Sequence, residues 1–110
     1  MMKPPARDKT CLHLVVRSSR AALDNCRLHC VKGDVLLFLD DGVMHVTSLP
    51  ATPGPHAPQE GAWVADVCFS AVDLEARGLS GLAQATGVVV LPDSDIVELV
   101  QSHEICLTWK

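Results

Sequence analysis

Tyrosine is absent from this chain, and two tryptophans and two phenylalanines make up its aromatic complement. A core built from it must be aliphatic, drawn from Val, Leu, Ile and Ala, and a hydrophobic content of 48% supplies the material. Basic residues are scarce too: nine Lys and Arg face thirteen Asp and Glu, for a net charge of −4, and the nine form no cluster. Direct nucleic-acid binding is excluded on that ground, because neutralising phosphates takes a concentrated positive face. No apolar run approaches the ~20 residues that span a bilayer. The polar, proline-containing stretch 1–10 lacks the apolar segment of a secretion signal. A cytoplasmic protein with no membrane contact is expected. No G-x-G-x-x-G or Walker pattern follows a strand, so Gly33 and Gly42 make no phosphate cradle and no cofactor is expected. There is no internal repeat, and 110 residues form one domain that removes roughly 65% of its unfolded surface from water.

What is present alternates. An apolar, β-branched run at 11–16 reads as a first strand, and Ser18 or Ser19 can cap a helix over 20–31 that Lys32-Gly33 ends. Residues 35–39 form a continuous apolar run, the mark of a strand covered on both faces. Asp40-Asp41-Gly42 turns the chain, and 43–49 is ambiguous between helix and extended structure. A proline-rich surface loop occupies 50–61. A third strand at 63–69, a short helix at 70–77 ended by Gly78, a connection at 81–86 and a strand at 87–91 follow. Asp93 or Ser94 then caps a helix to about 103, and 105–109 closes as a strand. The pattern is that of a single small α/β domain, a mainly parallel β-sheet flanked by helices in Rossmann/flavodoxin-like layering.

These pieces carry a resemblance. Leu12-His13 with Arg17-Ser18, then Gly33-Asp34 before the apolar strand, then Asp41-Gly42-Val43 are similar in order and spacing to the TusB/DsrH family of sulfur-relay subunits. Ala76-Arg77-Gly78-Leu79-Ser80 and the closing Asp93-x-Asp95, Val97, Leu99, His103 and Trp109 continue the likeness, which runs from about residue 11 to 109. It implies a DsrE-like fold over 11–110 behind a flexible extension at 1–10. It also implies a heterohexamer with TusC/TusD-like or DsrF/DsrE-like subunits, served by upstream and downstream sulfur carriers. Such a complex passes persulfide sulfur between cysteines, toward tRNA wobble-uridine 2-thiolation or dissimilatory sulfur oxidation. DsrH-type members carry a cysteine seven residues before the glycine, and Cys26 holds that position here. The first ten residues have no family equivalent, and the 50–61 loop is longer or more irregular than the family's.

The five cysteines (11, 26, 30, 68, 106) are an odd count without disulfide-framework spacing and are expected as thiols. Cys26 is the candidate persulfide carrier. Arg27, His29 and Lys32 bring positive charge near it, whereas its place late in a helix disfavours an anion. Ala22, Leu23, Cys26 and Cys30 share one helix face that would ordinarily pack on the sheet, so a buried core thiol is the competing reading. Lowering a thiol pKa from 8.5 to about 7 gains only about threefold in rate once lost nucleophilicity is counted, so access matters more than tuning. Cys30 reads as packing or as a resolving thiol. The two helical cysteines supply two ligands where a closed zinc site takes four, so no metal is expected. Cys11, Cys68 and Cys106 fall in strands and are assigned to the core; His13, His45 and His103 read as hydrogen-bonded structural groups. Asp40 and Asp41 are expected to point apart into solvent, and Asp93 and Asp95 to serve as cap and first-turn acids.

Overall fold

A computed structural model of the chain describes residues 10–48 and 65–110. The N-terminal extension, the proline-rich loop and the start of the third expected strand at Trp63 lie outside the described residues. Five strands form one sheet in the order β4-β3-β2-β1-β5, and every pairing is parallel. They are β1 (Cys11–Val15), β2 (Val35–Phe38), β3 (Asp66–Ser70), β4 (Val89–Leu91) and β5 (Ile105–Trp109). The α/β class read from the alternating pattern is the observed one. In register, β1 pairs from Leu12↔Val35 to Val15↔Phe38 on one side and from Cys11↔Ile105 to Val15↔Trp109 on the other.

The helices are α1 (Arg20–His29), α2 (Ala71–Ala76), α3 (Ser80–Thr86) and α4 (Asp93–Gln101). Ser19 caps α1, its hydroxyl accepting from the Ala22 N–H at 3.3 Å. The helix ends at His29, earlier than the expected residue 31, with Cys30 already extended at φ −74, ψ 137. The reason lies in the next turn: the Asp34 N–H bonds to the Val31 carbonyl at 3.0 Å, and Gly33 takes the left-handed φ of +94 that lets the chain reverse into β2. Residues 81–86, expected as a connection, belong to α3, which ends on the left-handed Gly87. Asp93 is the first residue of α4 and not its cap; Pro92 holds that place with no side-chain bond. The ambiguous stretch after β2 resolves as a 3-10 helix, Asp40–Thr47.

That 3-10 segment explains the glycine of the Asp41-Gly42-Val43 motif. A Cβ on Gly42 would lie 1.9 Å from the Val15 carbonyl oxygen, so the segment can cross the end of β1 at this distance only without a side chain. The two cores sit on the two faces of the sheet. On one, Val15, Leu36, Phe38 and Phe69 pack against Leu23 and Cys26 of α1, Leu74 of α2 and Ala83 of α3. On the other, Leu12, Leu37 and Cys68 pack against Ile96 and Leu99 of α4. The step from β4 back across to β5 reverses direction in the sheet, and right-handed crossovers then place α4 on the face opposite to the other helices. This second face is thinly covered: α4 has no buried residue, and Val89, Val97 and Val100 are exposed. Cys106, in register with Leu12, lies on that face at the β5 edge and is exposed, which corrects its assignment to the core. Cys11 and Cys68 are buried as expected.

Candidate functional site

β1 alternates, and its residues facing α1 are Cys11, His13 and Val15. His13 and Asp34 both have no exposed surface. Asp34 stands one residue before β2, and its carboxylate gathers three donors. Oδ1 accepts the Cys11 N–H at 2.9 Å, and Oδ2 accepts the Val31 N–H at 3.1 Å and lies 2.8 Å from His13 Nε2. Trp109 closes the chain of bonds, its indole Nε1–H donating to His13 Nδ1 at 3.1 Å. Because Nδ1 accepts, its proton must be on Nε2, where it is donated to Asp34. The partners thus assign a neutral imidazole beside an ionised carboxylate. Among the described residues no buried side-chain nitrogen or oxygen lacks a partner. A buried carboxylate is tolerable on those terms, since charge-assisted bonds to three donors replace its lost hydration.

The cysteines lie against this network. Cys26 has no exposed surface, and its Sγ is 4.0 Å from the Sγ of Cys30, which is half-buried at the end of α1. The hydrogen bond with Cys30 and burial push the Cys26 thiol far above the ordinary cysteine range, and repulsion from the Asp34 carboxylate, and from Cys30 or Cys11 when either ionises, acts in the same direction. At neutral pH Cys26 keeps its proton. Arg27, His29 and Lys32, expected to favour a thiolate, stand on the exposed side of the chain there. His29 turns toward Trp109, with ring centroids 5.1 Å apart, and its Nδ1 bonds to the Asn25 carbonyl at 2.8 Å.

The fold adds to the two cysteines a ligand that their spacing did not suggest. A ring nitrogen of His13 and the sulfurs of Cys26 and Cys30 all lie within 4.8 Å of one another. The 4.0 Å between the sulfurs is close to the ~3.8 Å edge of a tetrahedral zinc–thiolate site. Both nitrogens of His13 are already bonded, however, so a metal ion at Nδ1 would have to displace the Trp109 indole.

The other motifs of the family resemblance meet beyond the carboxyl end of β2. Asp40 and Asp41 do not point apart: the Nη2 of Arg77 reaches Oδ1 of each at 2.8 Å. The guanidinium also bonds to the Asp73 carbonyl at 3.2 Å, and the Asp73 carboxylate accepts the Asp40 N–H at 2.8 Å. This bracket fixes Asp40 in a left-handed conformation, φ 52, at the start of the 3-10 segment. It is a structural tie, with Asp40 and Asp41 largely in solvent. A shallow groove of about 440 Å3, lined by Leu74, Ala83, Gly87 and Val90 among others, belongs to α2, α3 and β4 and not to the cysteine site. His45 and His103 are hydrogen-bonded to backbone carbonyls, of Arg17 at 2.9 Å and of Leu99 at 2.8 Å, as expected of structural histidines.

Fold and site together define a small, all-parallel α/β domain with a sheltered thiol pair held over its first strand. Residues 17–105 match the DsrH-like protein family, and the chain belongs to that family. The match takes in Cys26, Cys30, Asp34 and Arg77, while His13 and Trp109 lie just beyond its two ends. No curated protein matches the chain. No helix among the described residues is long and apolar enough to cross a membrane.

Proposed function

We propose that this protein is a cytoplasmic sulfur-relay subunit that carries persulfide sulfur on Cys26. It would work within a heterohexamer of TusC/TusD-like or DsrF/DsrE-like subunits, and its sulfur would end in tRNA wobble-uridine 2-thiolation or in dissimilatory sulfur oxidation. The observation that carries the reading is membership of the DsrH-like family with a cysteine at 26 whose sulfur has a second sulfur 4.0 Å away. The valines left exposed on β4 and α4 suit a chain that buries this face against a partner. The test is intact mass after incubation with a persulfide donor. A gain of about 32 Da, one sulfur atom, mapped to Cys26 supports the carrier reading, and no gain on Cys26 in the assembled complex overturns it.

One observation favours a second reading. Cys26 is sealed and protonated in the single chain, which suits a structural subunit whose partners carry the sulfur. Sulfur flux through the assembled complex separates the two: Cys26→Ser leaves it unchanged if the chain is a scaffold and abolishes its share if the chain is a carrier.

A further inference from the structure

We infer that His13, Cys26 and Cys30 form a binding site for a thiophilic divalent cation, of which Zn2+ is the best fit. Spacing along the chain offered two ligands, and the fold supplies the third. A ring nitrogen of His13 on β1 and the two sulfurs at α1 lie within 4.8 Å of one another, all three buried. Cys30 is half-buried as a residue, but its sulfur is on the inner side with the other two ligands. Zinc holds thiolate at about 2.3 Å and imidazole at about 2.0–2.1 Å, which sets the edges of a tetrahedron at roughly 3.5–3.8 Å. The sulfurs are 4.0 Å apart, so gathering the set takes mainly an approach of the ring nitrogen, by about 1 Å.

The surroundings of His13 support the role independently of proximity. Its Nε2–H is donated to the Asp34 carboxylate at 2.8 Å, and a metal-bound imidazole almost always donates its other N–H to such a group. That bond fixes the tautomer and leaves the lone pair on Nδ1. The lone pair is answered at rest by the Trp109 indole N–H at 3.1 Å, which an ion would displace. Trp109 is only half-buried, so the displaced N–H can turn to water. Coordination therefore breaks one neutral hydrogen bond and keeps the buried carboxylate paired.

Charge selects a divalent ion. Each thiol releases its proton to solvent as its sulfur bonds the metal, with no change of oxidation state. Two thiolates, a neutral imidazole and a doubly charged cation then sum to zero beside the ionised Asp34. A singly charged ion would leave a second uncompensated negative charge in the interior, which is costly. Without any ion the thiolates face that same penalty, in keeping with the proton that Cys26 retains at rest. Zinc takes a fourth ligand, and among the described residues no fourth side chain joins the cluster. Three protein ligands leave that position to water or to a small anionic ligand. Where Cys26 serves the relay proposed above, ion and sulfane sulfur exclude each other, because a sulfur held by the metal is not free to carry a second atom.

The experiment titrates the reduced, metal-free, full-length chain with Zn2+ against a chromophoric chelator. One ion per chain is expected, held at least about 100-fold more weakly by Cys26→Ser and by Cys30→Ser. Cys106→Ser should bind as the unaltered chain does, since its exposed thiol lies outside the cluster. Trp109→Phe should bind about fivefold more tightly, because the competing N–H is gone, a gain that a purely structural role would not produce. A serine in the core can unfold the chain, so X-ray absorption at the zinc edge is also read on the unaltered protein. It should show two sulfurs at about 2.3 Å and the outer-ring signature of one imidazole. Absence of stoichiometric binding, a spectrum without sulfur neighbours, or loss of binding in Cys106→Ser would each overturn the site. So would full binding in both Cys26→Ser and Cys30→Ser, or no gain in Trp109→Phe. None of these results bears on sulfur loading of Cys26, so the relay reading stands or falls separately.

Discussion

Replacing Asp34 with Asn is a near-isosteric change that should disable the whole buried network. Asn keeps one acceptor oxygen, enough for the Cys11 N–H, but its amide would then face the Val31 N–H and the His13 Nε2–H, donor against donor. His13 cannot escape by changing tautomer, because a proton on Nδ1 would meet the Trp109 indole N–H. Two bonds to a charged acceptor are lost, each worth about 1.5–3 kcal/mol, so the variant should be about 3–6 kcal/mol less stable. That is a large share of the ~5–15 kcal/mol that holds an ordinary domain together. Urea titration followed by far-ultraviolet circular dichroism measures it. Trp109→Phe, which removes only the N–H at the end of the chain of bonds, should cost about 1 kcal/mol in the same assay. In a double-mutant cycle the two changes should fall short of additivity, since both act through His13. A loss below about 1 kcal/mol for Asp34→Asn, or full additivity, would refute the network as drawn.

Three further outcomes are expected. Gly42→Ala should destabilise by more than about 3 kcal/mol or prevent folding, read from expression and thermal midpoint, because its Cβ meets the rigid Val15 backbone; a stable variant would mean that the 3-10 segment does not lie against β1. Burial lowers the pKa of His45 below its ordinary 6.5, while the unfolded chain retains the ordinary value. The unfolded state then binds the extra proton first, so this contribution to stability is complete above about pH 6.5 and declines as the pH falls toward the folded value. Urea midpoints between pH 7.5 and 5.5 should fall less steeply in His45→Gln than in the unaltered protein. Timed alkylation of the native protein followed by mass mapping should label Cys106 first, with Cys11, Cys26 and Cys68 protected; early modification of Cys68 would contradict the packing of α4.

What could be read in advance was whatever repeats with a period. The unbroken apolar run of β2 and the Ala22, Leu23, Cys26 face of α1 pointed to the layering, and left the burial of that thiol as the competing reading. What escaped was set by contacts between distant segments. Asp34 entered only as part of the Gly33-Asp34 motif, and the return of β1, the Val31 turn and His13 to one point makes it the hub of the buried network. Nothing local could reveal that Asp40 and Asp41 converge on Arg77, more than thirty residues on. Cys106 sits in a strand of sound β pattern, and its exposure follows from how little of the sheet's second face α4 covers. His13 is the instructive case: correctly expected as a hydrogen-bonded group, it also stands with a ring nitrogen within 4.8 Å of the Cys26 and Cys30 sulfurs.

The indole of Trp109 reaches a histidine 96 positions earlier in the chain. Until β5 arrives, the first strand has one bare edge, and the imidazole beneath α1 has an unanswered lone pair. A parallel sheet joined across such sequence separations collects its closure entropy late, so maturation should be slow, and the half-built intermediate should be prone to stick to its own kind. In a cell, that would make rapid capture by a companion chain, or shelter by a chaperone, part of how this protein reaches its working shape.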